Sequence, residues 1–68
     1  MTEATEAKAG IYLNKKTNGV VRAATRFAAP SGADWMLLDE DISLTMVAIR
    51  DMAKQKNLVP QPEELHWE

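Results

Sequence analysis

Asp34-Trp35-Met36-Leu37-Leu38-Asp39 sets four apolar residues between two aspartates, and the reading of the fold depends on it. Side chains alternate along a strand, so an unbroken apolar run of this length sends apolar groups to both faces. Neither face then belongs in water. Directly behind it, residues 42–57 have a helical pattern, with Ile42, Met46, Ile49, Met52 and Ala53 recurring at a 3.6-residue spacing and Ala48 at the edge of the stripe. That stripe should cover one face of the strand. The other face needs the C-terminal stretch, the N-terminal strands or a second copy of the chain.

Upstream, two β-prone runs, Ile11-Tyr12-Leu13-Asn14 and Val20-Val21-Arg22-Ala23-Ala24-Thr25-Arg26-Phe27, flank Lys15-Lys16-Thr17-Asn18-Gly19. Asn-Gly between such runs signals a hairpin. Two registers compete, because a slip of one residue exchanges the faces of one strand. A two-residue turn at Asn18-Gly19 pairs Thr17 with Val20 and puts Arg22 and Arg26 beside Ile11 and Leu13. A turn over Thr17-Asn18 with Gly19 as a left-handed bulge residue pairs Lys16 with Val20 instead. Ile11, Leu13, Val21, Ala23 and Phe27 then share one apolar face, while Tyr12, Asn14, Lys16, Val20, Arg22, Ala24 and Arg26 form a basic outer one. The clean apolar side favours the second register.

The linker Ala28-Ala29-Pro30-Ser31-Gly32-Ala33 redirects the chain, Pro30 being unable to donate to a ladder and Gly32 allowing a sharp bend. Past the apolar strand, Asp39-Glu40-Asp41 supplies negative charge where a helix begins, with Ser43 as the expected N-cap and Asp41 as its competitor. Leu44 and Val47 lie on the back of the helix, and they too should be covered. Lys54 and Lys56 suit its last turn, Asn57 a left-handed C-terminal position, and Pro60 prevents continuation. Leu65 and Trp67 are candidates to cover the second face of the strand.

At 68 residues and without cysteine, the chain is a single domain near the size where burial barely offsets conformational entropy, with no disulfide or thiolate site to reinforce it. Self-association would supply the missing burial. The boundaries expected are a flexible arm over 1–9, one α+β domain over 10–59, and an extended Pro-containing tail over 60–68. No apolar run approaches the ~20 residues needed to cross a bilayer, and the acidic opening lacks a signal-peptide core, so a cytoplasmic location is expected. Net charge is −2 but unevenly distributed: Lys8, Lys15, Lys16, Arg22 and Arg26 precede residue 34 with no acid among them from residue 7 on, and acids dominate beyond.

Few residues suggest chemistry. His66 is the lone histidine and lies near the end of a chain without a thiol partner. Counted from Asp39, the glycine and glutamate positions of a calcium-binding loop hold Leu44 and Arg50. Gly10, Gly19 and Gly32 are too dispersed to cradle a phosphate, and Met36, Met46 and Met52 read as core filler. No catalytic residue, metal ligand, cofactor or small-molecule substrate is therefore expected, and no membrane partner.

The expectation is a small single α+β domain in the order β-β-β-α, an N-terminal hairpin and third strand packed on one C-terminal helix. Its expected role is that of a non-enzymatic protein-interaction or accessory module, self-associating through Leu44, Val47 and Trp67, with Tyr12, Lys16, Arg22 and Arg26 offered to a partner. The alternative is a small nucleic-acid-binding protein that uses the basic outer face of the hairpin on phosphates.

Overall fold

The computed structural model describes residues 8–68, so most of the arm expected over 1–9 lies outside the described residues. The elements are β1 (Gly10–Asn14), β2 (Gly19–Ala23), β3 (Trp35–Asp39), helix α1 (Met46–Gln55) and a short β4 (His66–Trp67), with single 3-10 turns at Arg26–Ala28 and Pro62–Glu64. The architecture is α+β, three strands followed by a helix, as the sequence indicates. The sheet order is β3-β1-β2-β4, with β1 antiparallel to both its neighbours and β4 parallel to β2.

The hairpin register is neither of the two weighed from sequence. Leu13 lies opposite Val20, Tyr12 opposite Val21 and Ile11 opposite Arg22. The cause is Asn14, whose side-chain Oδ1 accepts the amides of Lys16 at 2.8 Å and Thr17 at 3.0 Å while its carbonyl accepts that of Asn18 at 3.0 Å. These bonds wind residues 15–18 into a four-residue loop, and it is Asn18, with φ of 62°, that takes the left-handed conformation expected of Gly19. The continuous basic face therefore does not form. Ile11, Leu13, Val20 and Arg22 share the side facing α1, and Tyr12, Val21 and Ala23 the other.

Because β2 and β3 flank β1 and run parallel, residues 24–34 must cross the sheet, and the passage from β3 through α1 to β4 returns in the opposite direction. Crossovers are right-handed almost without exception, and two right-handed passages in opposite directions lie over opposite faces. This places 24–34 over the face away from α1, in keeping with the burial of Tyr12 and Ala23 there. Trp35 and Leu37, which lie on that face of β3, remain half-buried and 36% exposed, so the second face of the apolar strand is only partly covered. The C-terminal tail serves the opposite edge of the sheet.

The main core lies between sheet and helix. Ile11, Leu13, Val20, Ile49 and Leu65 are its largest fully buried side chains, joined by Leu38, Ala53 and Val59 and flanked by Met36, Leu44, Met46, Met52 and Leu58. Each large side chain so buried contributes about 1.5–3 kcal/mol. The stripe Met46, Ile49, Met52, Ala53 faces the sheet as its spacing requires. Residues 60–68, read as an extended tail, instead carry a 3-10 turn, the core residue Leu65 and β4, which is held by Asn18 and Val20 carbonyls accepting the amides of His66 and Glu68 at 3.1 and 2.9 Å.

The helix begins later than its apolar pattern does. Thr45 is the N-cap, its side chain accepting the amide of Ala48 at 3.3 Å. The earlier aspartates close turns of their own. Asp39 Oδ1 accepts the amide of Asp41 at 2.8 Å, and Asp41 Oδ1 accepts both the amide and the hydroxyl of Ser43, at 2.9 and 2.6 Å. Side-chain acceptors of this kind offer the backbone an alternative to helix, which is why residues 41–44 stay outside it. At the other end Asn57 takes φ of 54°, and the amides of Asn57 and Leu58 donate to Lys54 and Ala53 carbonyls at 3.3 and 3.0 Å, a Schellman closure where the sequence placed one.

The two bonds from Ser43 hold the Asp41 carboxyl below its ordinary value of 3.8. A depressed folded-state value means that this contribution is present above the unfolded carboxylate range and is lost as pH falls through the folded value. In Ser43→Ala the hydroxyl bond disappears and the backbone bond stays, so the Asp41 titration followed by carboxyl-carbon NMR should move upward part of the way. An unchanged titration would show that the hydroxyl contributes nothing.

Candidate protein-interaction surface

Arg22 organises the corner where the sheet edge meets the start of the helix. It stands on the α1 side two residues beyond Val20, and its long side chain carries the charge past the apolar core to the rim. There Nη2 donates to the Leu44 carbonyl at 3.0 Å, and the guanidinium lies over the Trp67 ring, 4.6 Å from its centroid. A cation over an exposed indole contributes about 0.5–1 kcal/mol. One side chain thus joins the turn before α1 to the last strand.

Sequence reasoning assigned Arg22 to an outer face shared with Lys16 and Arg26, and its assignment of Leu44 and Trp67 to another surface was separate. The fold brings Arg22, Leu44 and Trp67 together instead. Leu44 packs against the core and gives its carbonyl to Arg22, while Val47, three residues on in the first turn of α1, is 69% exposed and Trp67 is 41% exposed. The tail residue that enters the core is Leu65 rather than the tryptophan.

The other expected partner-binding residues are dispersed. Tyr12 is buried on the face away from α1, and its hydroxyl donates to the Lys8 carbonyl, at 2.5 Å, and accepts the Lys8 amide, at 3.0 Å. Lys16 is exposed in the hairpin loop. Arg26 lies in the 3-10 turn after β2, its guanidinium 4.9 Å from the ring centroid of Phe27, which is 83% exposed and so outside the core that the sequence reading gave it.

Arg22→Glu, harmless in the register read from sequence, should be costly in this one. It removes the bond to Leu44, turns the stacking on Trp67 from attractive to repulsive, and sets a carboxylate beside a carbonyl. A loss of about 1–2 kcal/mol is expected by urea unfolding, with Arg22→Lys recovering part of it. Wild-type stability in Arg22→Glu would show that the corner contributes nothing to folding.

Among the described residues no group of three or more histidine, cysteine, aspartate or glutamate side chains is gathered closely enough to hold a metal ion. His66 is exposed, its Nδ1 3.2 Å from the Glu64 carbonyl. Among the described residues no helix is long and apolar enough to cross a membrane. Compared with known proteins, the chain matches no family model, no curated protein and no solved structure.

Proposed function

We propose that this chain is a non-enzymatic protein-interaction module that self-associates through the corner built by Val47, Leu44 and Trp67. The observation that carries the reading is the exposure of Val47 and Trp67 at the end of the molecule where Arg22 fixes both the pre-helix turn and β4. A residue such as Val47 gains nothing from water at that position, and a tryptophan already held flat by a guanidinium loses little further freedom on contact. A two-fold contact would use each of them twice, which suits a chain of 68 residues whose own core is small. The absence of cysteine is compatible with work in a reducing cytoplasm.

Sedimentation equilibrium from micromolar to millimolar concentration tests it. The wild type should show a reversible monomer–dimer equilibrium, and Val47→Glu should shift it to monomer while leaving the melting temperature of the monomer nearly unchanged, since the side chain is exposed. A wild type that stays monomeric throughout, or a dimer indifferent to Val47→Glu, would refute the proposal.

A further inference from the structure

The two edges of the sheet are treated differently. At the β4 edge the strand is two residues long, and Arg50 Nη2 donates to the adjoining Leu65 carbonyl at 2.9 Å. At the β3 edge no such cover exists among the described residues. The direction of its backbone groups follows from the ladder. Lys15 donates to the Asp34 carbonyl at 3.1 Å, so Asp34 and Met36 point their peptide groups at β1, and the alternate residues Trp35 and Leu37 point theirs away. The Trp35 amide is taken by the Gly32 carbonyl at 3.3 Å. The Trp35 carbonyl and both peptide groups of Leu37 are left facing outward, beside half-buried Trp35 and a Leu37 that is 36% exposed.

We propose that this edge accepts an extended segment of a protein partner, added as a further strand, whose apolar residues lie between lysine or arginine residues. Strand addition satisfies the outward peptide groups, and alternate side chains of the segment meet those of Trp35 and Leu37. Charge sets the flanks. Asp34 is exposed at one end of β3, and Asp39, Glu40 and Asp41 stand at the other, with Lys8 reaching Glu40 at 3.4 Å as the one cation paired with them among the described residues. The same charges turn a second copy away. Antiparallel pairing of two β3 edges about Leu37 sets Asp34 of each chain beside the Asp39-Glu40 end of the other, and like charges facing across a ladder are unfavourable. The edge is therefore distinct in chemistry from the Val47–Trp67 corner and its proposal does not rest on that one.

The test is titration of the full chain, labelled for NMR, with a short peptide of alternating valine and threonine carrying lysine at each end, against the same peptide carrying glutamate at each end. The lysine peptide should shift β3 resonances, slow exchange of the Leu37 amide, and bind at least about tenfold more tightly than the glutamate peptide, with affinity falling as salt rises. Leu37→Pro removes the outward donor without touching a bond to β1 and should abolish binding; should that variant fail to fold, Asp34→Lys, a surface change, should weaken binding by about tenfold. Val47→Glu should leave peptide binding unchanged. The proposal is overturned if neither peptide binds, if both bind equally, if the shifts fall on Val47 and Trp67, or if Leu37 amide exchange slows with protein concentration alone.

Discussion

Deletion of residues 65–68 is expected to leave the chain unfolded, or within about 1 kcal/mol of unfolding, at room temperature. The deletion exposes the pocket filled by fully buried Leu65, a loss of about 2–5 kcal/mol by comparison with large-to-small core changes. It also removes β4, the ring beneath Arg22 and the carbonyl that receives Arg50. Among the described residues Arg50 Nε is already buried without a partner and the guanidinium makes one hydrogen bond, which the deletion would remove. A chain of this length has about 3–10 kcal/mol of stability in total. Thermal and urea unfolding followed by circular dichroism measures the outcome, and Trp67→Ala, which spares Leu65, should cost no more than about 1–2 kcal/mol. A truncated chain that melted within a few degrees of the full one would show that the last four residues are ornamental to the core.

Gly10→Val is expected to destabilise the chain by about 2–3 kcal/mol, a fall in melting temperature on the order of 10–20 °C. A Cβ at position 10 would lie 2.6 Å from the Asp39 carbonyl oxygen and 2.6 Å from Leu37 Cδ1, with the Glu40 Cα at 3.2 Å. The leucine could turn away, but the Asp39 oxygen and Glu40 Cα belong to the backbone. Strand β3 would have to move off β1 at the point where its ladder is already irregular, between Ile11 and Tyr12. Gly19→Ala offers the contrast. The three atoms nearest a Cβ there all belong to the Glu68 side chain, Oε2 closest at 1.9 Å, and a flexible glutamate side chain swings aside at little cost. If Gly10→Val and Gly19→Ala were equally mild by differential scanning calorimetry, the close approach of β3 to β1 would not be a constraint on this fold.

The sequence by itself determined the hairpin, the third strand and the helix, though not their exact ends or β4. The period of Met46, Ile49, Met52 and Ala53 implied a helix with one face on the sheet, Asn57 and Pro60 implied its end, and the apolar run after Asp34 implied a strand, although its second face keeps Leu37 exposed. These are local signals, carried by spacing and by backbone preferences that act within a few residues. The register of the hairpin was decided only in the tertiary structure, because choosing it from sequence meant supposing that an arginine cannot share a face with the core. Arg22 does share it, since the Leu44 carbonyl and the Trp67 ring, 22 and 45 positions further along the chain, meet its charge at the rim. The same long-range bonds moved the tail to the β4 edge, left β3 bare and gathered the corner of Arg22, Leu44 and Trp67. No window of sequence contains those pairs, and burial energy that depends on which distant groups meet is settled only when the chain closes on itself.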